Sequence, residues 1–337
     1  MVNMCTTVKI LDGGFSGQLS RHVGAKIDGD PLWTARFLAT NPTAVYATHL
    51  DFLRAGADII ETNTYQASVP GLTKYLNISE CKSLDLFATA VHLAKKAVDD
   101  YAEKEKLSVD GRPKVAGACG PYGAYLHNAS EYTGSYGKTV SRRELIDWHR
   151  PRVKALVDAG VDLLALETIP CIEEAEALLE LMKEYPHARA WLSFSCRDDQ
   201  FISDGSLFQE VALRCYRTLP SQIVAVGVNC IDPRHVTPLL RGINTINASA
   251  SSRQAHHQIP LVVYPNRGGS LSATNEWTAV PDDHSLNLPI SEWLDIGVSY
   301  IGGCCKVFAE DIKTIRSEVN RYRAMKAQDA VFIDIDT

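Results

Sequence analysis

Nine cysteines are spread through the 337 residues, and three have a placement that suggests shared chemistry. Cys230 follows Asn229, and the adjacent pair Cys304 and Cys305 follows Gly302-Gly303. Thiolates are strong nucleophiles and soft metal ligands. Three together suit Zn²⁺, whose tetrahedral shell takes sulfur and keeps one position open in catalytic sites. Neighbours on a regular strand face opposite ways, so Cys304 and Cys305 can share an ion only if the chain turns there; Gly302 and Gly303 make such a turn easy. A vicinal disulfide and buried structural thiols are the readings that spacing alone leaves beside zinc. Cys119 and Cys196 are reserve candidates, while Cys5, Cys81, Cys171 and Cys215 read as ordinary thiols.

These cysteines must be positioned by the elements before them. A short apolar, β-branched run, a small-residue or polar loop and a longer segment of helical periodicity recur eight times. The spacing predicts strands over residues 8–13, 57–62, 114–120, 162–167, 188–196, 223–230, 260–264 and 298–303, with helices over 79–104, 141–159 and 173–185 among the intervening segments. Near-continuous apolar strands alternating with helices imply a parallel sheet covered on its outer face, and eight units imply a closed (β/α)8 barrel. In such a barrel the C-terminal strand ends meet at one mouth. There the sequence places Asp12-Gly13-Gly14, Glu61-Thr62-Asn63-Thr64, Glu167-Thr168, Asn229-Cys230 and Gly302-Gly303-Cys304-Cys305, so carboxylates and thiols share one cavity. Loops 121–139, rich in Gly and Tyr, and 266–289, which contains Trp277, follow strands and are candidates for a lid. The polar stretch 247–258 precedes the seventh strand, which puts His256 and His257 on the opposite face.

The composition, 45% hydrophobic and 22% charged, is that of a globular chain with a substantial core. A formal net charge of -6 provides no basic field for nucleic acid or anionic lipid, so the expected partner is a small molecule. No stretch approaches the roughly 18 apolar residues of a membrane span, and the start of the chain lacks a signal-like apolar run. An odd number of cysteines without secretory features points to reduced thiols and a cytoplasmic setting. The expected organisation is one barrel domain over 1–323 with a C-terminal tail over 324–337, as a monomer or weak homo-oligomer.

Leu11-Asp12-Gly13-Gly14, Glu61-Thr62-Asn63-Thr64-Tyr65, Gly227-Val228-Asn229-Cys230 and Gly302-Gly303-Cys304-Cys305 together resemble the homocysteine S-methyltransferase family, across almost the whole chain. The resemblance implies a (β/α)8 barrel in which Cys230, Cys304 and Cys305 hold Zn²⁺ and homocysteine sulfur takes the open position, to be methylated to methionine. It implies that Asp12 and Glu167 hold the homocysteine ammonium, that backbone amides around Gly13 and Gly14 to Ser16 and polar groups near Thr62 take its carboxylate, and that Asn229 supports the site. Members of the family use betaine, S-methylmethionine, S-adenosylmethionine or, in larger cobalamin enzymes, methyltetrahydrofolate. Betaine-using members carry two consecutive aromatics where this chain has Tyr65-Gln66, and a Tyr where it has Thr168. Asp30-Pro31-Leu32-Trp33-Thr34 is closer to the S-methylmethionine users, and Trp33, with Tyr65, is a candidate for facing a sulfonium through cation–π attraction. The expected donor is therefore S-methylmethionine or S-adenosylmethionine. The alternatives are a betaine-using or selenol-accepting relative, or a non-catalytic sensor of zinc or homocysteine.

Overall fold

The computed structural model describes residues 8–24, 27–250, 258–268 and 286–333. Its eight strands are β1 (Lys9–Ile10), β2 (Ile59–Glu61), β3 (Lys114–Cys119), β4 (Leu163–Ile169), β5 (Ala190–Phe194), β6 (Ile223–Asn229), β7 (Leu261–Tyr264) and β8 (Val298–Ile301). All pair in parallel in the order β1-β8-β7-β6-β5-β4-β3-β2, and the parallel bridge between Leu11 and Ile59 joins the first strand to the second. The sheet thus closes into the expected (β/α)8 barrel. β1, β2 and β8 are shorter than their apolar runs, although the Thr62 and Gly302 amides still bond to the neighbouring strands at 2.9 and 3.0 Å.

The alternation of strand residues explains both layers of core. One set of side chains, including Leu11, Ile59, Ala165, Trp191 and Val262, fills the barrel interior. The other set, including Ile60, Val115, Leu164, Leu192 and Val263, packs outward against helices. The helices carry matching stripes. In Glu80–Glu105, Phe87, Ala90, Val91, Ala94, Ala97 and Val98 recur at three- and four-residue spacing and are buried, and the Ser79 hydroxyl caps its first turn. Helix Arg142–Asp158 begins with a capping box of Ser141 and Glu144.

The final helix, Ala309–Ile333, runs through position 323, so the chain beyond the expected boundary continues that helix; residues 324–329 are exposed. Among the described residues, no helix is long and apolar enough to cross a membrane. His256, His257, Trp277 and Cys5 lie outside the described residues, as does most of loop 266–289.

Candidate active site

The C-terminal ends of the strands enclose one cavity, whose floor carries three carboxylates. Asp12 follows β1, Glu61 ends β2 and Glu167 lies within β4. The Asp12 carboxylate accepts the Glu61 backbone amide at 2.8 Å, which fixes it across the first two strands. Burial, together with the mutual proximity of the three groups, holds Asp12 and Glu61 well above the ordinary carboxylate range. Burial likewise pushes Glu167 up to about 7, against the lowering effect of hydrogen bonds with Glu61 and Tyr264. Glu61 and Glu167 lie close enough to interact, and a positive charge beside the three carboxyls would favour their ionised forms.

Across the floor, Cys230, Cys304 and Cys305 form the one potential metal cluster of His, Cys, Asp and Glu found among the described residues, with all three sulfurs within 4.8 Å of one another. Cys230 Sγ lies 3.6 Å from Cys305 Sγ, and Cys304 Sγ lies 4.0 Å from Cys305 Sγ. Two sulfurs on one tetrahedral zinc, each at about 2.3 Å, stand about 3.8 Å apart, so the observed triangle fits one face of such an ion. Hydrogen bonds from Cys304 and Cys305, with smaller contributions from Tyr132 and Asn266, pull the Cys230 thiol well below the usual cysteine range, and the contact with Cys230 pushes Cys304 and Cys305 up. The trio therefore shares protons where a divalent cation would replace them.

The turn that brings the adjacent cysteines together differs from the expectation. Gly302 and Gly303 do not supply a left-handed conformation, which falls instead on Lys306 with φ 64°. They supply room: a Cβ on Gly302 would lie 2.6 Å from Leu11 Cβ, and one on Gly303 would lie 2.1 Å from Val307 Cγ1. The Cys304 amide donates to the Pro265 carbonyl at 2.7 Å and the Cys305 amide to Asn266 Oδ1 at 3.1 Å, which ties the pair to the end of β7.

Loops build the rim. Trp33 stands edge-on to Tyr65 at 5.8 Å between ring centroids and donates its indole N–H to Asp28 at 3.2 Å. From loop 121–139 come His127, Glu131 and Tyr132; the Tyr132 hydroxyl is 3.1 Å from Cys230 Sγ. Buried braces hold this rim from behind. Arg152 donates to the carbonyls of Gly120, Thr64 and Tyr65 at 3.0 to 3.3 Å. Glu174 accepts from the Tyr122 amide at 2.6 Å and from the Tyr136 hydroxyl, and also pairs with His149 at 2.8 Å. Eight described non-glycine residues have positive φ; Asn77, Lys106 and His127 end helices, Trp33, Ala129, Thr168 and Cys230 line the cavity together with His127, and Lys306 follows the cysteine pair. Backbone strain concentrated in this way marks a functional site independently of any sequence comparison.

The homocysteine S-methyltransferase family model matches residues 9–319. The chain belongs to the homocysteine S-methyltransferase family. As a member it is an enzyme, a methyltransferase acting on a thiol. It is 44% identical over 316 residues to a betaine-homocysteine S-methyltransferase of Drosophila melanogaster, covering 91% of this chain and 93% of that one. It is 35% identical over 331 residues to a selenocysteine Se-methyltransferase of Brassica oleracea var. italica, covering 94% and 90%. The metallated form of an Escherichia coli homocysteine methyltransferase superposes with a TM-score of 0.77 at 37% identity, covering 92% of this chain and 96% of that one.

Within this member of the family, the cavity brings together Asp12, Gly13, Gly14, Trp33, Thr62, Tyr65, Glu167, Cys230, Cys304 and Cys305. Three of the expected site residues have their polar groups engaged by the protein itself. Asn229 is fully buried and makes no part of the cavity lining: its Oδ1 accepts the Thr168 amide and the Ser193 hydroxyl, each at 2.8 Å, and its Nδ2 donates to Thr168 Oγ1 at 2.8 Å, so it braces the kink after Glu167. The Thr62 hydroxyl is engaged with Thr64 and the Ala118 amide, inside the wall. The Gly14 amide donates to the Val307 carbonyl at 2.8 Å and is therefore already engaged, just before helix Phe15–Val23 begins. Cys119 and Cys196 stay apart from the metal cluster, with burial pushing Cys119 to about 11. The strand-end reading placed Glu61 at the mouth without giving it a role, and it passed over Tyr264, the last residue of the predicted strand 260–264; His127, Glu131 and Tyr132 are cavity residues that had no spacing signal.

Proposed function

We propose that this enzyme is zinc-dependent and transfers a methyl group from a sulfonium donor, S-methylmethionine or S-adenosylmethionine, to the sulfur of homocysteine, giving methionine. The observation that carries the donor reading is the charge of the cavity. Among its described lining residues are six carboxylates, Asp12, Asp28, Asp30, Glu61, Glu131 and Glu167, and no Lys or Arg. Burial holds Asp12, Glu61, Glu131 and Glu167 toward their neutral forms and Arg36 pairs with Asp30, so the cavity favours a cation because a bound positive charge, with no described Lys or Arg facing it, draws those carboxyls into the ionised form. S-methylmethionine and S-adenosylmethionine carry one, whereas betaine is a neutral zwitterion whose carboxylate would face no described cationic side chain.

Cys230, Cys304 and Cys305 would hold the zinc, which would favour the thiolate of the acceptor at neutral pH, a form that a free thiol of pKa about 8.5 mostly lacks. Asp12 and Glu167 hold the acceptor ammonium, with Glu61 completing the floor. The N-terminal amides of helix Phe15–Val23 take its carboxylate. Trp33 and Tyr65 present aromatic surface to the sulfonium. The thiolate displaces a neutral thioether from the methyl carbon: one S–C bond forms, one breaks, and no proton moves at carbon. Residues at the site thus act by orientation and electrostatics.

The same cavity supports a second reading for one specific reason: the Trp33 and Tyr65 faces also suit the trimethylammonium of betaine, the donor named for the Drosophila relative. Measuring kcat/KM for S-methylmethionine, S-adenosylmethionine and betaine at saturating homocysteine, with zinc-loaded enzyme, separates the two. A sulfonium donor is expected to lead; a clear lead for betaine would overturn the donor assignment.

A further inference from the structure

Tyr132 is the rim residue in hydrogen-bond contact with the three-cysteine cluster: its hydroxyl oxygen lies 3.1 Å from Cys230 Sγ. The contact is built rather than incidental. The 3-10 turn Ser130–Tyr132 follows Ala129, whose φ is 60°, and the Glu131 carbonyl is fastened to the end of the barrel by the Ser195 hydroxyl at 2.7 Å. Gly123 permits the close passage of this turn, since a Cβ there would lie 2.5 Å from the Glu131 nitrogen.

Two roles toward a metal are open to a hydroxyl in this place, and distance decides between them. An oxygen and a sulfur bound to one tetrahedral zinc, at about 2.1 and 2.3 Å, stand about 3.6 Å apart. The observed 3.1 Å is shorter than that and suits an O–H···S hydrogen bond. We propose that Tyr132 is a positioning residue for methyl transfer: its hydroxyl donates to the Cys230 sulfur and stays there when the acceptor thiol joins the metal. The inference rests on the metal reading above. Hydrogen bonds to ligating sulfur orient it and draw electron density from it, which sets how much charge the metal passes to the acceptor. Because Tyr132 sits in loop 121–139, the same bond couples that loop's position to the metal.

The test uses the full chain loaded with Co²⁺, whose sulfur-to-metal charge-transfer bands report on each ligating thiolate. Wild type, Tyr132→Phe and, as a comparator, Tyr65→Phe are recorded with and without homocysteine. Losing a hydrogen bond raises the energy of the sulfur lone pair, so the bands of Tyr132→Phe should move to lower energy by a similar amount in both conditions, while Tyr65→Phe leaves them in place. Unshifted bands would overturn the proposal. So would a shift that vanishes on adding homocysteine, since that would make the hydroxyl a displaceable ligand. Absence of charge-transfer bands in wild type would instead remove the metal reading itself. Should Tyr132→Phe fail to fold, Ser195→Ala loosens the same turn while keeping the hydroxyl: a smaller shift in the same direction supports the bond, and unshifted bands refute it.

Discussion

At the floor of the cavity, Asp12, Glu61, Glu167, Cys230, Cys304 and Cys305 sit on or within a few residues of strand ends; at the rim, Trp33, His127, Glu131 and Tyr132 arrive on loops. Hydrogen bonds among strand ends fix the floor, whereas the rim depends on buried braces behind it, Arg152 under Tyr65 and Glu174 under Tyr122 and Tyr136. The division matches the two halves of the proposed reaction. The acceptor needs a metal and fixed charges, which strand ends supply to within fractions of an ångström, and the donor needs a shaped surface that loops can vary.

If the floor carries acceptor activation, its substitutions should have the largest effects. Replacing Cys230, Cys304 or Cys305 singly by Ser should abolish stoichiometric zinc and lower kcat/KM at least about 30-fold, the loss expected from the thiolate fraction alone at neutral pH. Metal analysis alongside kinetics checks this; stoichiometric zinc surviving in all three variants would contradict it. Next, Glu167→Gln should weaken homocysteine binding about 10- to 100-fold, the range for losing a hydrogen bond to a charged group of about 1.5–3 kcal/mol, with zinc retained. Normal homocysteine affinity combined with a slow chemical step would assign Glu167 to catalysis rather than binding.

The rim should respond differently. Trp33→Ala should lower kcat/KM for the sulfonium donor by up to about 30-fold, from a desolvated cation–π contact of about 2 kcal/mol, and leave the homocysteine Kd unchanged. Equal losses for donor and acceptor would erase the distinction between floor and rim.

The smallest effect is one of pH on the enzyme free of metal and substrate. Glu167 is raised to about 7 in the fold, so the fold favours its protonated form. That stabilisation is fully present below the unfolded carboxylate value and is lost as pH rises through about 7. With a ceiling of about 1.4 kcal/mol per pH unit for one proton, wild type should lose on the order of 1–2 kcal/mol between pH 5 and 7, and Glu167→Gln should lose less. Urea melts at a series of pH values measure the slopes, and indistinguishable slopes would show that Glu167 does not titrate in that window.

The contrast between floor and rim also explains what was legible in the sequence. Short, near-continuous apolar runs announced the strands, and a parallel barrel delivers strand ends to one face by geometry, so Asp12, Glu167 and the cysteines could be placed together without knowing a single long-range contact. Glu61 was visible in its motif, but its interaction with Glu167 depends on the register of β2 through β4. Asn229 read as a site residue because it precedes Cys230; strand alternation puts it inside the barrel with Ala225, where its amide is spent on Thr168 and Ser193 beneath the cavity. Glu131 and Tyr132 lie in a loop whose composition signalled only that it was a loop; left-handed residues at His127 and Ala129 determine where their side chains go.

The central claim is that Cys230, Cys304 and Cys305 hold one metal whose open position receives the acceptor sulfur. X-ray absorption at the zinc edge of the loaded enzyme, before and after addition of homocysteine, tests it most directly. The account predicts one zinc per chain with three sulfur neighbours at about 2.3 Å, rising to four when homocysteine is added. A sulfur count that stays at three, or a zinc shell without three sulfurs at the outset, would contradict it.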